Sequence, residues 1–386
     1  MLTLAATASN LPILNIHTSG YDDDVSDRLN HVWSVCILCV FAILISLTEY
    51  VGDPIHCWCP AEFTDSHCNY TEAICWIKDT YYIPADDMVP WDPNERNETE
   101  VKYYQWVPII LLFLALCFKL PNLFWEALNT KTGFNLKKII FMAEGAQIGA
   151  KCETSVEALA TVFDLTLKTS KRSEYGFLHS CIEKVSSLCC FCLGRRTGTY
   201  LTGLYLGIKL FYIFMTFALL FLLNKFLAMD YILYGVEVID HLVNNNELRE
   251  SPRFPRVTLC DFEIRQMQNI QRFTVQCVLS VNLFNEKVFA FLWFWICFVA
   301  IVNIYSYLSW LIKLTFPSNR IKYVYKYLML VHKGLRKAHA EGKFTRDYLT
   351  TDGVFLLMML EYNVNEMLVM DLVRHLWSKY NETVVV

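Results

Sequence analysis

The chain has 386 residues, of which 54% are apolar, 15% aromatic and only 19% charged. So apolar a composition excludes an ordinary soluble domain and points to several membrane spans. The net charge of −4 offers no basic surface for nucleic acid.

Residues 1–31 form an N-terminal segment with one basic residue, Arg28, and four acids, Asp22, Asp23, Asp24 and Asp27. It lacks the basic start that precedes the apolar core of a signal peptide. Asp22 to Asp24 read as solvated charge, with Ser26 or Asp27 capping a helix. A first apolar run covers 32–51, about the length needed to cross ~30 Å of hydrocarbon, with a single charge, Glu49, near its end. A cysteine-bearing acidic segment, 52–106, ends in Tyr103-Tyr104-Gln105-Trp106-Val107-Pro108. Its rings read as an aromatic belt at a membrane–water boundary. A second span follows over 107–128, and Pro108, if inside that helix, removes a backbone hydrogen bond and bends the axis.

A connection, 129–203, leads to a third span over 204–223. A second cysteine-bearing segment, 224–287, leads to a fourth span over 288–312, which carries no charge. Residues 313–386 form a tail. Lys119 and Lys209 lie near span ends, where they face a water-filled path or snorkel to the interface. Gly203 and Gly207 open the third span at close-packing spacing. Segment 151–192 has few breakers and reads as helical. In the tail, Val364, Leu368, Leu372 and Leu376 recur at i+4, marking a packed helix.

Four spans put both termini on one side, and charge says which. Residues 129–202 hold ten Lys/Arg against six Asp/Glu, and 313–386 hold eleven against seven. Residues 52–102 hold three against eleven, and 225–287 hold seven against eight. Basic segments stay cytoplasmic, so the termini and middle connection are expected inside and the two cysteine-bearing loops outside. Glycosylation acceptors at Asn69 and Asn97 fall in the first of those loops, and cysteines fall in both, where oxidation is permitted. A third acceptor, Asn381, lies in the expected inner tail.

The first loop holds Cys57, Cys59, Cys68 and Cys75, and the second Cys260 and Cys277. Six cysteines allow fifteen pairings, and spacing alone does not choose among them. Cys189, Cys190 and Cys192, with His179 and Cys181 upstream, lack the clean second pair of a structural zinc site and read as reduced or acylated thiols. No phosphate-binding lysine loop, nucleophile elbow or His-Glu-x-x-His motif is present, so no enzyme and no cofactor is indicated.

The hexapeptide at 103–108 resembles the signature of the innexins, the invertebrate gap-junction proteins, at the start of their second span. Further resemblance lies in Gly52-Asp53-Pro54-Ile55-His56-Cys57-Trp58 and Cys75-Trp76. It continues in 254–262 around Cys260, in Val275-Gln276-Cys277-Val278-Leu279 and in Asp352-Gly353-Val354-Phe355-Leu356-Leu357. The likeness runs from about Asp22 to Trp377 and is weakest in the first twenty residues and the middle connection.

That resemblance implies an all-α, four-span channel subunit with disulfide-bridged outer loops and a helical cytoplasmic domain. It implies the bridges Cys57–Cys277 and Cys75–Cys260. It also implies a ring, usually of eight like or related subunits in lipid, which docks through its outer loops onto a ring in the apposed plasma membrane. Ions and small metabolites then pass between cells. The N-terminal segment is expected to fold into the pore mouth, which would place Asp22, Asp23 and Asp24 there as pore-mouth charge. Cys59 and Cys68 depart from the family pattern and are read either as a third bridge or as free thiols. The alternatives are an undocked, pannexin-like hemichannel and a non-conducting four-span adhesion or scaffold protein.

Overall fold

A computed structural model describes residues 22–84, 87–92, 96, 99–129, 136–148, 152–172, 198–227, 231–243, 254–331 and 338–385. Helix α1 (Val25–Tyr50) is followed by strand β1 (Ile55–Cys57), helix α2 (Asp65–Ile77) and strands β2 (Thr80–Tyr81) and β3 (Glu100–Val101). A 3₁₀ turn (Tyr104–Trp106) enters α3 (Val107–Asn129), and α4 (Leu136–Ile148) and α5 (Cys152–Arg172) follow. Next come α6 (Tyr200–Phe226), α7 (Tyr231–Val243), and the strands β4 (Val257–Gln266) and β5 (Asn269–Leu279). The chain continues through α8 (Ser280–Thr315), α9 (Pro317–Val331), α10 (Ala338–Lys343), α11 (Thr350–Asn363) and α12 (Glu366–Val385).

The fold is mostly helical, and α1, α3 with its 3₁₀ turn, α6 and α8 are each long and apolar enough to cross a membrane. Three of them extend beyond the apolar runs at both ends. The first begins seven residues before its run and stops at Tyr50. Pro108 sits at the second position of α3, in the first turn, where a missing backbone N–H costs little. The interior proline is Pro121.

The described chain forms two compact units. One comprises residues up to Trp33 with Lys119–Phe214 and Ile301–Val386, and the other Ser34–Phe118 with Met215–Ala300. The first is helical. Its apolar core joins Trp125, α4, α5, the start of α6, Trp310, α9, α11 and α12. Helix α11 is buried at every residue from Thr351 to Leu360, so it is the element the others wrap. Leu368, Leu372 and Leu376 of α12 are buried on one face, whereas Val364 lies at the break after α11 rather than on that face.

The second unit carries a five-stranded antiparallel sheet in the order β1-β5-β4-β2-β3, which the reading of the loops did not foresee. Its spine is the β4–β5 hairpin, paired from Val257↔Val278 to Gln266↔Asn269. Thr258, Cys260 and Phe262 are buried on β4, and Val275, Cys277 and Leu279 on β5. That alternation, with Asp261 and Glu263 between, is the period-2 pattern of a half-buried strand.

Candidate functional site

Two places concentrate chemistry. The first is the sheet unit. Cys57 stands directly opposite Cys277 in the β1–β5 pairing and is bonded to it, and Cys75 of α2 is bonded to Cys260 of β4. These bridges span 220 and 185 residues, so each removes a large part of the unfolded chain's freedom. Cys59 is also bonded to Cys68 in the first turn of α2, closing a short loop that leads into that helix. Within that loop, Phe63 packs edge-on against Phe273 of β5 at 5.2 Å between ring centres.

Asp261 ties the sheet sideways. It accepts from Arg96 at 2.5 Å, from the Tyr81 hydroxyl at 3.0 Å and from the Thr274 hydroxyl at 2.7 Å. Burial, reinforced by the Asp261 charge, pushes the Tyr81 phenol up to about 12, so it stays a donor. The hairpin tip carries Met267 at φ 51°, 99% exposed, and Trp58 is 81% exposed. Asn69 is exposed on α2, and Asn97 lies outside the described residues.

The hexapeptide joins this unit to the second span. The Tyr103 ring meets Phe254 edge-on, and Tyr104 is fully buried against Trp76. The Gln105 amide donates to the Trp76 carbonyl. The two tyrosines thus pack onto the sheet unit, Tyr104 buried and Tyr103 half-buried. Trp106 is exposed.

The second place is the buried charge cluster of the helical unit. Asp22, Asp23 and Asp24 are all buried, which corrects their reading as solvated or pore-mouth charge. The reason is a set of partners far away in sequence. Asp22 accepts from the Trp125 indole at 2.9 Å and from Asn129 at 3.1 Å. Asp23 pairs with Arg28 at 3.0 Å and with His31.

Asp24 accepts from Lys209 at 2.7 Å, Ser306 at 3.0 Å and the Trp310 indole at 2.7 Å. Lys209 Nζ also lies 2.9 Å from Asp27 as an ion pair, and Tyr205 donates to the other Asp27 oxygen at 2.9 Å. Lys209, 1% exposed, therefore neither snorkels nor lines a wet path in this chain.

The helix cap is Asp24, whose carboxylate accepts from the Asp27 N–H at 2.9 Å while Asp27 sits at the third helical position, a reciprocal capping box. Ser26 and Asp27 are inside the helix. The signal for this was the Asp-x-x-Asp spacing of 24 and 27. A π-helical segment, Leu29–Ser34, follows. Asn30 there donates to Asn303 at 2.7 Å, and Asn303 donates back at 3.0 Å.

Burial works to raise the Asp24 carboxyl, but the Lys209 charge and the bonds it accepts hold it at about 2. Burial pushes the Asp22 carboxyl up from its ordinary value. Asp352 plays a separate capping role. It accepts from the backbone N–H groups of Leu201 and Thr202 and from the Thr202 hydroxyl, at 2.8 to 3.2 Å, and so closes the first turn of α6.

Among the described residues, Cys57, Cys75 and Cys277 bring their sulfurs close together. All three are engaged in disulfides, which leaves no thiolate for a metal. The Cys181–Cys192 run and His179 lie outside the described residues.

Four membrane-length helices, a disulfide-stapled loop unit and a large helical unit define a multi-pass membrane protein. The innexin family model matches residues 23–380. The chain is 37% identical to Innexin unc-9 of Caenorhabditis elegans over 361 residues, covering 93% of this chain and 92% of that one. It is 34% identical to Innexin-19 of Caenorhabditis briggsae, over 94% and 87% of the two chains. It is also 34% identical to Innexin-3 of Caenorhabditis elegans, over 93% and 84%. The chain belongs to the innexin family, whose members are subunits of gap-junction channels and not enzymes. It is accordingly a multi-pass membrane protein of gap junctions that forms oligomeric channels with other innexins.

Proposed function

We propose that this subunit works in the docked state, passing ions and small metabolites between adjacent cells through two apposed rings of eight. The termini and the helical unit are cytoplasmic, and the stapled loops 52–106 and 224–287 are extracellular, as the excess of Lys/Arg in 129–202 and 313–386 supports. The observation that carries the reading is the bridged sheet unit. Two disulfides join its loops, and an exposed hairpin tip at Met267 projects from a fixed base. A rigid, pre-organised loop surface loses little freedom on meeting its counterpart.

Asn69 is exposed beside the Cys59–Cys68 bridge. A bulky hydrated glycan there opposes close docking, so the docked channel leaves Asn69 bare and uses Asn97 alone or neither acceptor. Glycosidase mapping that finds a full glycan on Asn69 in coupled cells refutes this steric point.

The deciding experiment is conductance in paired cells expressing the chain. Current between the cells supports the docked channel. Single-cell current without coupling means an undocked hemichannel, and neither current means a scaffold.

A further inference from the structure

Helix α7 begins a few residues after α6 ends at Phe226. One of its faces is strapped to the first turns of α8. The Tyr231 hydroxyl donates to the Phe289 carbonyl at 2.8 Å, and the Tyr234 hydroxyl to the Glu286 carbonyl at 3.5 Å. In return the Trp293 indole donates to the Ile232 carbonyl at 3.1 Å. A Cβ on Gly235 would stand 2.0 Å from the Trp293 ring, so only glycine lets the indole lie against the helix at this point. The strap therefore fixes α7 beside the residues at which the apolar run of α8 begins.

The face next to the strap is apolar and bare. Ile232, Val236, Ile239 and Val243 recur at i, i+4, i+7 and i+11, which makes one stripe, and all four are exposed; Leu233, also exposed, lies off the stripe, between Asp240 and Glu237. The third face carries the exposed acids Glu237 and Asp240. The apolar surface of α7 thus extends beyond the face its protein contact uses. A helix bordering water would turn polar residues where this stripe lies.

We propose that α7 is an interfacial membrane helix, with the Ile232–Val243 stripe seated against acyl chains and Glu237 and Asp240 toward water. The occupant is zwitterionic lipid. Continuity supports it: α8 exposes Phe291, Phe294 and Phe298, and α6 exposes Phe217 and Phe221, on helices of membrane-spanning length. Trp293, the residue that grips α7, lies in the aromatic cluster at the start of that apolar run, where indoles settle at the headgroup level. The acidic third face disfavours anionic headgroups. Bound this way, α7 anchors the second loop to the bilayer independently of any docked partner, using a wide apolar face of the kind that holds helices in the interface plane.

The test places a diazirine-bearing amino acid at Val236 or Ile239 of the full chain, assembled in phosphatidylcholine nanodiscs and irradiated. Lipid adducts are expected at both sites at the level of a control at Phe221, with loss of the adduct at Glu237, Asp240 and Met267. A cross-link to a neighbouring subunit at Val236 overturns the proposal, because protein then covers the stripe. Addition of water alone overturns it as well. Hydroxyl-radical footprinting of the unsubstituted channel gives a second readout that needs no variant. Val236 and Ile239 should stay unmodified while Ile270 on the hairpin is oxidised, and oxidation of Ile239 to the extent of Ile270 rejects membrane burial.

Discussion

The sheet unit and the helical unit both join stretches of chain that are far apart in sequence, but by different chemistry. In the sheet unit the joints are covalent, with bridges across 220 and 185 residues, one between two strands and one from α2 to β4. In the helical unit the joints are buried charges and hydrogen bonds, with Asp24 reaching Lys209 across 185 residues and Trp310 across 286. An oxidised bridge restricts the unfolded chain and tolerates an exposed, thinly packed surface. A buried charge must be matched in the folded state or it destabilises. The two units should therefore fail under different insults.

The largest effect is expected at Lys209. Lys209→Met leaves Asp24 and Asp27 buried without their cation, which costs about 3–5 kcal/mol. Thermal unfolding of detergent-solubilised protein should show a large fall in midpoint, and adding Asp24→Asn with Asp27→Asn should recover part of it. A midpoint unchanged by Lys209→Met would mean that the cluster is not a joint. Reductant should leave this site untouched.

The mirror experiment breaks the sheet unit. Cys75→Ser removes a constraint of roughly 2–5 kcal/mol in a small oxidised unit. Surface assembly or docking should be lost, while hydrogen exchange of α11 in the helical unit keeps its protection. Peptide mapping that finds Cys57, Cys75, Cys260 and Cys277 as free thiols in assembled channels would dismiss the covalent half of the comparison.

The same contrast explains what the sequence made legible. Membrane-length apolar runs announce themselves by composition, and the cysteines by residue type. The family signature also marked the hexapeptide. The partners of Asp22 to Asp24 left no local trace. A run of three acids reads as solvated unless Lys209, Trp125 and Trp310 are known to converge on it, and that convergence is a property of packing. The sheet was legible in principle, since Cys260, Phe262 and Ile264 alternate with Asp261, Glu263 and Arg265. That period of two is short and sits beside cysteines and spans whose signals are far stronger. The partners of Tyr103 and Tyr104 left no local trace either, because an aromatic ring beside a membrane and one inside a loop core have the same local sequence.

A smaller effect is expected at the cap of α6. Asp352→Ala removes the acceptor for the Leu201 and Thr202 N–H groups, at a cost of about 1 kcal/mol, visible as faster hydrogen exchange at those two amides. Asp352→Asn keeps one acceptor oxygen and should cost less. Burial raises the Asp352 carboxyl above its ordinary 3.8, so the folded state holds the proton more tightly than the unfolded one. Stability contributed at this site therefore falls as pH rises from 3.8 through the raised value, and Asp352→Asn should flatten that part of the profile. A wild-type midpoint that rises with pH over this window, relative to Asp352→Asn, would reverse the sign and reject the assignment.

The smallest effect concerns ion selectivity, and it separates the units by function. Asp53, Glu62, Asp65, Asp87 and Asp92 are exposed in the first loop, whereas Asp22, Asp23 and Asp24 are buried and bonded. Exposed acids repeated around a ring concentrate cations near a wide mouth, and salt screens the effect within about 10 Å at 0.1 M. A mild cation preference is expected, carried by the loop acids alone. Asp53→Asn with Asp65→Asn should move the reversal potential in a salt gradient toward zero. Asp22→Asn, which keeps an oxygen facing Trp125 and Asn129, should leave it where it was. If Asp22→Asn shifts the reversal potential as far as the loop pair does, the N-terminal acids face the permeation path in the assembled ring. The division between a structural charge cluster and a functional charged loop then fails.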